Sequence, residues 1–507
     1  MKTNSGLPTF NSLSALFGKV GVFPLLAFVI PLVVQAIPEV LMGSFVVGFD
    51  TLGYYVPNTL TWLNDGVNFW NFLATAPLFY VLLMGITSVG VPIVIALKVL
   101  APVLLGLLGI AVYFYANKTL SWSPRKSLLV ALFATLYFVA LRVSWDMLRS
   151  ELGLIFLFTA LILLEKDEGS SLRNGMLLSL AMFSVVLAHQ LVAVIMFFIV
   201  LVTFIRLFFD RKIADLGRIV VCSVPAGFLF LLIVYANYVV SSQFSVISGF
   251  PAQGSGGFMS LFGFASYSDL VVDTLGFLVF CYLPILPLVV LGARKFRGNL
   301  HLKAWVVWVF VALLLVIVSP NASFLVFPYR WTLLLAYPLA FFAAEAFAGF
   351  RLNLYKLGFG VMLATLSLGF MFLPNSLAFP YYGSFSLYVP TSMLQNTVSL
   401  SDCQDTVNAL HWVETNVNSD SQLLVHDAFY GWASLTLDDD QLIRYGYENP
   451  ETVAQELMEN GSESPLYLIW WVNGSGWHGQ PTVSSVFEEV YESGKIAVYA
   501  YNSGVYQ

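Results

Sequence analysis

The sequence predicts a polytopic α-helical membrane protein with about eleven transmembrane helices and a C-terminal extracytoplasmic α/β domain. Of its 507 residues, 58% are hydrophobic and only 10% are charged, and the mean hydropathy is +0.81. A soluble domain usually has about 25% charged residues. Charge is also unevenly distributed: residues 402–507 contain 16 acidic residues against two basic ones, a net charge of −14. Since the whole chain has −6, residues 1–401 carry +8.

Membrane helices are indicated by apolar stretches of roughly 17–25 residues. No small-residue cleavage site follows the first stretch, which predicts a retained helix rather than a signal peptide. The shorter apolar stretch 75–88 is either a twelfth crossing or a helix lying in the membrane interface. We predict spans at 19–41, 89–115, 126–141, 151–165, 174–189, 191–209, 218–240, 270–292, 304–319, 331–348 and 355–373.

The orientation of the chain follows from its basic residues, which concentrate in cytoplasmic loops. If the N-terminus is cytoplasmic and 75–88 does not cross, clusters such as Arg125-Lys126, Arg211-Lys212 and Arg294-Lys295 all lie inside. This predicts a multi-pass protein of the cell membrane. Residues 1–373 form its membrane domain, with a large first outer loop at 42–88, and the acidic residues 374–507 form a soluble domain outside.

The C-terminal region alternates between two hydrophobic patterns. Short β-branched and aromatic runs predict strands, and amphipathic runs predict helices. Such alternation is typical of a small α/β layer domain. We predict strands at 422–426, 441–445, 466–472 and 495–501, and helices at 402–417, 450–459 and 483–490.

Asp50 is the leading candidate for chemistry. It lies just after the first span, in the run Gly48-Phe49-Asp50-Thr51, and Tyr54 and Tyr55 follow within an aromatic loop. A carboxylate at a membrane edge is costly unless it has a partner or a function. Aromatic rings beside a carboxylate suit a sugar, whose ring stacks while its hydroxyls need acceptors. The other interpretation is an interfacial aromatic belt with an incidental aspartate.

A second group of charges lies around the predicted fourth span. Arg142, Asp146 and Arg149 have helical spacing, so they can form a local ion-pair cluster. That cluster either anchors a helix end or clamps a phosphate, with Asp146 or Glu151 orienting the arginines or a metal ion.

Three more polar residues adjoin the predicted outer face. Lys98 lies inside an apolar helix, where a phosphate or carboxylate partner is expected. Arg330 either extends to lipid headgroups or reaches into a cavity. His189 either makes a structural hydrogen bond or lines the site.

These features together resemble the GT-C superfamily of membrane glycosyltransferases. That superfamily includes oligosaccharyltransferases, protein O-mannosyltransferases and the aminoarabinose transferases of lipid A. The resemblance rests on the run 48–51 with Tyr54 and Tyr55, and on Ala-Pro-Leu-Phe-Tyr at 76–80. It also rests on Lys98 near the outer end of the second helix, on the acidic second outer loop with Glu151, and on a C-terminal domain outside the membrane.

The resemblance implies a GT-C fold and a prokaryotic or archaeal source. It also implies an inverting transfer of sugar, on the outer face, from a polyprenyl-phosphate-linked donor to a protein, lipid or glycan acceptor. Membrane lipids are expected partners and nucleic acids are not. The alternative is a transporter, flippase or scaffold for lipid-linked glycans, which would do no chemistry.

The resemblance also implies roles for individual residues. Asp50 is the expected base, Lys98, Arg149 and Arg330 the donor phosphate ligands, and Tyr54, Tyr55 and His189 the substrate lining. Asp146 and Glu151 are expected to orient these groups or, with Asp50, to hold Mg²⁺ or Mn²⁺ through oxygen ligands.

Overall fold

The protein is described by a computed structural model over ten stretches of the chain and is predominantly helical. The described residues are 21–165, 172–247, 267–295, 299–318, 328–372, 389–390, 392–446, 448–460, 464–472 and 483–502. The helices before residue 373 are α1 Val22–Leu41, α2 Val56–Asn64, α3 Phe69–Ala74, α4 Leu78–Ser88, α5 Ile93–Phe114, α6 Pro124–Leu136, α7 Phe138–Asp146, α8 Leu148–Leu164, α9 Leu172–Ala188, α10 Gln190–Phe209, α11 Ile213–Ile247, α12 Tyr267–Tyr282, α13 Leu286–Lys295, α14 Leu300–Val318, α15 Pro328–Leu334, α16 Ala336–Gly349 and α17 Asn353–Phe372.

The apolar helices confirm a multi-pass membrane protein. In the described part of the chain, seven helices are long and apolar enough to cross a bilayer. The number is eight if α6 and α7, which meet at a 58° bend, form one span. The bend occurs at Tyr137, whose ψ of 138° is extended and interrupts the helix. Within the described residues, each of the eleven predicted spans coincides with helix. Three of these helices, α8, α9 and α14, are shorter or more polar than the helices that qualify as membrane crossings. The count of eleven crossings therefore stays a prediction.

The chain divides into two compact units. The first comprises Met1–Ile37, Phe69–Phe79 and Val99–Thr391, and the second comprises Pro38–Asn68, Tyr80–Lys98 and Ser392–Gln507. The second unit thus joins the C-terminal region to two segments from the first hundred residues. The predicted division at 373/374 lies outside the described residues and stays a prediction.

In the first unit, glycines allow neighbouring helices to approach closely. A Cβ at Gly292 on α13 would lie 1.8 Å from the Phe342 carbonyl oxygen of α16. A Cβ at Gly109 on α5 would lie 2.2 Å from the Ala27 carbonyl oxygen of α1. Both distances are far below van der Waals contact, so only glycine fits at these two helix crossings.

Aromatic rings fill the centre of the first unit. Phe158 on α8 lies 5.8 Å from Trp305 on α14 and 6.0 Å from Phe341 on α16, measured between ring centroids. Tyr115, at the end of α5, meets Phe341 edge to face and donates a hydrogen bond from its hydroxyl to the Asn299 side chain at 3.1 Å. The buried tyrosine hydroxyl is thereby satisfied, as burial requires.

The second unit contains a five-stranded mixed sheet in the order β2-β1-β3-β5-β4. β1 runs parallel to β2 and β3, whereas β5 runs antiparallel to β3 and β4. The stacked rings of Trp412 and Tyr491, 5.1 Å apart, join helix α18 to the sheet. The elements are α18 Cys403–Asn416, β1 Gln422–His426, α19 Asp427–Ala433, β2 Leu442–Tyr445, α20 Pro450–Glu459, β3 Leu466–Trp471, β4 Phe487–Ser493 and β5 Ile496–Tyr501.

One predicted element in this region is wrong. The helix expected at 483–490 is replaced by strand β4. Val483, Val486, Phe487 and Val490 have the i, i+3, i+4, i+7 spacing of a helix. A tight reversal at Gly494, with φ of +56°, instead pairs β4 with β5 in a hairpin. Long-range pairing therefore overrides the local pattern. The four predicted strands are confirmed within a residue, and so are the helices corresponding to α18 and α20.

Candidate functional site

Asp50 occupies a distinctive backbone feature of the second unit. The chain leaves α1 at Leu41 and becomes helical again only at residue 49, after Gly48 with φ of +100°. Asp50 immediately precedes a π-helical turn, Thr51–Tyr55, which continues into α2. Side chains other than glycine rarely adopt the Gly48 conformation. Single π-turns within helices frequently lie at functional sites.

Aromatic residues pack against one another along the π-turn and helix that follow Asp50. Tyr55 is buried and meets Tyr80 edge to face, with ring centroids 5.9 Å apart. Trp62 meets the same Tyr80 ring at 4.9 Å. Tyr54 instead remains 44% exposed, and the Arg444 guanidinium lies 5.9 Å from its ring centroid. Of the two predicted substrate-lining tyrosines, Tyr54 has the greater exposed surface for contacting a ligand.

Lys98 lies at the start of α5 and contacts the segment before Asp50. Its Nζ donates hydrogen bonds to the carbonyl oxygens of Glu39 and Phe45, the latter at 2.7 Å. The Glu39 carboxylate lies 3.6 Å from the same Nζ. The Lys98 ammonium has three N–H donors, and these contacts direct the ammonium towards Glu39 and Phe45. The predicted role of Lys98 in phosphate binding stays a prediction, while a structural role is visible.

The C-terminal part of the second unit also contacts residues 45–52. The Gly48 amide donates to the Gln395 carbonyl at 3.2 Å, and the buried Asn396 side chain donates to the Val46 carbonyl at 3.0 Å. Helix α19 approaches so closely that a Cβ at Gly431 would lie 1.7 Å from the Leu52 carbonyl oxygen. Backbone groups on both sides of Asp50 are therefore contacted by residues about 350 to 380 positions away in sequence.

A charged and aromatic cluster surrounds Arg444 on the same unit. Its Nε donates to the Asp427 carboxylate at 2.6 Å, and the guanidinium lies 4.8 Å from the centroid of Tyr430. Tyr430 donates to Asp439 at 3.1 Å. Burial, reinforced by Asp439, raises the pKa of Tyr430 to about 12. The phenol is thus a hydrogen-bond donor, and not an anion, at neutral pH.

Within the first unit, three of the predicted residues interact electrostatically. Arg149 lies at the start of α8, His189 precedes α10, and Arg330 is on α15. The charges of both arginines act on the His189 ring. His189 is 8% exposed, and both arginines are partly buried. Two guanidinium groups near one imidazole form a positive region suited to a phosphate.

The two predicted orienting carboxylates have different surroundings. Asp146 is buried and accepts a hydrogen bond from Arg142 at 2.5 Å, four residues away on α7. Glu151 is fully buried on α8, and neither carboxylate oxygen has a hydrogen-bond partner among the residues that the structure describes. Its charge would act on the Tyr337 hydroxyl, which likewise has no hydrogen-bond partner there. Buried polar groups of this kind are uncommon, and they mark places where a water or ligand can bind.

The carboxylates do not assemble into a metal centre within the described ranges. No three His, Cys, Asp or Glu side chains there lie close enough to share an ion. Asp146 is also already bonded to Arg142. The residues that the structure describes therefore do not fit a metal centre, and the dependence on Mg²⁺ or Mn²⁺ stays a prediction.

Two structural features near Asp50 in the chain or in the second unit were absent from the sequence predictions. Glu39, the partner of Lys98, falls inside the first apolar span, where any carboxylate signals a partner. Helix α19 was missed because its seven residues follow β1 without a break. His426 is the N-cap that precedes this helix, and its Nδ1 accepts a hydrogen bond from the Ala428 amide at 3.1 Å. Its side chain thus has a structural role as the cap of α19.

Comparison with known proteins adds three solved structures. No family model and no curated protein sequence matches this chain. ArnT from Cupriavidus metallidurans bound to undecaprenyl phosphate is 15% identical, with a TM-score of 0.52 over 95% of this chain and 98% of that one. Its apo state is 14% identical, with a TM-score of 0.53 over 96% and 98%. The Archaeoglobus fulgidus oligosaccharyltransferase with Zn and sulfate is 15% identical, with a TM-score of 0.51 over 87% and 68%.

At these identities the likeness shows the fold. The GT-C-like fold expected from the sequence is confirmed as a likeness of fold to ArnT and to the oligosaccharyltransferase. In this chain the strands of the α/β region follow the last apolar helix.

Proposed function

We propose that this protein is an integral-membrane glycosyltransferase that takes its sugar from a polyprenyl-phosphate-linked donor. The observation that carries this proposal is the GT-C fold combined with the placement of Asp50 at a buried π-turn after the first span. ArnT from Cupriavidus metallidurans, to which this chain is similar in fold, was crystallised with undecaprenyl phosphate. Undecaprenyl phosphate is what remains of a polyprenyl-phosphate-linked donor after its sugar has been transferred.

The proposed reaction is a single displacement with inversion. The Asp50 carboxylate removes the proton from an acceptor hydroxyl, the freed oxygen pair forms a bond to the anomeric carbon, and the bond from that carbon to the phosphate oxygen breaks. Positioned bases of this type contribute roughly 10²–10⁴-fold to a rate. The electron pair leaves with the phosphate as an anion. Arg149 and Arg330 stabilise that anion electrostatically, and His189 lies beside them.

The remaining assignments complete this proposal. Tyr54 and Tyr55 contact the substrate, Lys98 is a third ligand of the donor phosphate, and Glu151 with Asp146 orients the basic residues. The acceptor is a protein, lipid or glycan. The N-terminus is cytoplasmic, and the C-terminal region faces outwards. Any Mg²⁺ or Mn²⁺ requirement is tested by adding a chelator, and no step above depends on it.

The roles can be separated with purified full-length protein in lipid nanodiscs. The substrate is the lipid extract of the organism that encodes the chain, and mass spectrometry measures the polyprenyl phosphate released. We expect Asp50→Asn to lose at least about 100-fold in rate yet still bind undecaprenyl phosphate. Asp65→Asn, an exposed aspartate of the same loop, is the matched control. Full release by Asp50→Asn would refute the assignment of the base.

The phosphate ligands need a binding measurement. A hydrogen bond to a charged group contributes about 1.5–3 kcal/mol. Arg149→Ala and Arg330→Ala should therefore each weaken undecaprenyl phosphate binding by about 10–150-fold. The exposed Arg173→Ala is the matched control. Unchanged binding in both variants would contradict this part of the proposal. If the protein moved the lipid-linked glycan across the bilayer without breaking the sugar–phosphate bond, the transporter alternative would replace it.

A further inference from the structure

Residues 45–55 form a segment whose position depends on distant parts of the second unit. Val46 and Val47 are buried, and the chain turns at Gly48 before the helix that contains Asp50. The turn places the carboxylate, yet residues 46–48 directly before the helix have no helix or strand of their own. Such residues keep a defined position only if other groups hold their backbone.

The strongest of these contacts is steric. Gly431 lies in α19, a seven-residue helix that directly follows β1. A Cβ at this position would lie 1.7 Å from the Leu52 carbonyl oxygen and 2.5 Å from the carbonyl carbon. Both are backbone atoms, so a larger residue here would displace either α19 or the π-turn. Leu52 is two residues from Asp50.

A polar contact acts on the other side of Asp50. The side-chain Nδ2 of Asn396 donates a hydrogen bond to the Val46 carbonyl oxygen at 3.0 Å, while its Oδ1 accepts one from the backbone N–H of Val398 at 3.0 Å. Asn396 is fully buried, so both bonds are shielded from water. Leaving one partner unmade in such a place costs about 1–3 kcal/mol.

A ring contact connects the Gly431 region with the Asn396 region. Trp432, next to Gly431, meets Phe45 edge to face at 5.7 Å and donates from its indole nitrogen to Thr397 at 3.1 Å. The residues that hold the segment are therefore themselves connected, from 395–397 to α19.

We propose that Gly431 and Asn396 are positioning residues that set the orientation of Asp50 through the backbone of residues 45–52. This inference rests on the proposed function, because it assigns the positioned group the role of base. It adds that the C-terminal region is required for catalysis independently of any contact it makes with substrate. A displacement of about 1 Å in a reacting group can cost about 100-fold in rate.

The test combines hydrogen exchange with kinetics on the full-length protein. In Gly431→Ala and Asn396→Ala, we expect faster amide exchange across residues 46–52, and above all at Gly48. We also expect a kcat about 10–100-fold lower per folded molecule, with the donor KM nearly unchanged. Gly446→Ala and Asn408→Ala are matched controls, since a Cβ at Gly446 meets only two side-chain oxygens, at 3.4 and 3.7 Å, and Asn408 is exposed.

The outcomes separate the alternatives. A merely structural role would lower the folded fraction but leave kcat per folded molecule unchanged, and that result would overturn the proposal. Exchange no faster than in the controls would overturn it as well. If Gly431→Ala does not fold, Asn396→Ala alone decides the question. Full activity of Asp50→Asn would instead show failure of the proposed base, whereas the exchange data would still report whether the segment is held.

Discussion

Asp402 offers a quantitative test of how the C-terminal region is held together. The residue ends the short segment that carries Asn396, just before α18. Its Oδ2 accepts a hydrogen bond from the indole nitrogen of buried Trp471 at 3.0 Å, and its Oδ1 accepts from Lys495 at 3.0 Å and from Ser401 at 2.6 Å. Replacing Asp402 by alanine removes the acceptor from all three donors.

The magnitude is dominated by Trp471. Its indole N–H would be left unsatisfied in a buried place, which costs about 1–3 kcal/mol. Lys495 is 62% exposed, so the loss of that ion pair adds only about 0–1 kcal/mol. We therefore expect Asp402→Ala to lower the free energy of unfolding of the C-terminal region by about 1–4 kcal/mol. The exposed Asp420→Ala should change it by less than about 0.5 kcal/mol.

The pH dependence has a definite sign. Burial by itself would raise the pKa of Asp402, but hydrogen bonds from Ser401, Trp471 and Lys495 together hold it below its usual value of 3.8. Because the folded-state pKa is depressed, the stabilisation is present above the unfolded-state pKa and is lost as pH falls through the folded-state value. The difference between wild type and Asp402→Ala should therefore shrink below about pH 3.8.

The assay is amide exchange of β3 in the full-length protein, which reports opening of the sheet around Trp471. Thermal unfolding followed by tryptophan fluorescence is the second measurement. If Asp402→Ala exchanged no faster than Asp420→Ala at neutral pH, the hydrogen bonds to Asp402 would not contribute the stability assigned to them.

Two further predictions concern packing and reactivity. Gly292→Ala should lower the free energy of unfolding in detergent by about 1–3 kcal/mol, because the new Cβ would meet a backbone oxygen at 1.8 Å. Gly227→Ala should not lower it, because a Cβ there has nothing within 4 Å. Equal melting temperatures of the two variants would contradict the close helix contact. Burial raises the pKa of the Cys403 thiol to about 12, so little of it is thiolate at pH 8 and maleimide labelling should be slow. Rapid labelling of the wild type would refute that burial.

The membrane helices were predictable because hydropathy is a local property. A stretch of about 20 apolar residues can satisfy its backbone inside a bilayer only as a helix, so each predicted span coincides with helix. The strands at 422–426 and 466–472 were predictable for a similar reason, since β-branched and aromatic runs fit a sheet. β4 was mispredicted because its helical spacing is overridden by pairing across the Gly494 turn.

The candidate site was predictable only in part. Asp50, Arg149 and Arg330 were identified because charges at a membrane edge are costly and therefore conspicuous. Their contacts were not predictable, since the partner of Lys98 is 59 residues away and that of Val46 is 350 residues away. Sequence spacing describes neighbours on one helix and contains no information on such separations.

By itself, the sequence determined that this protein is a multi-pass helical membrane protein with an acidic α/β region, because composition and periodicity alone decide what can enter a bilayer. The tertiary structure decided what surrounds Asp50. Gly431 and Asn396 approach its backbone only after β1, α19 and residues 392–403 have folded together with residues 38–68. Steric contact and buried hydrogen bonds act over a few ångströms. They therefore act on Asp50 only once folding has brought together residues that are hundreds of positions apart in the sequence.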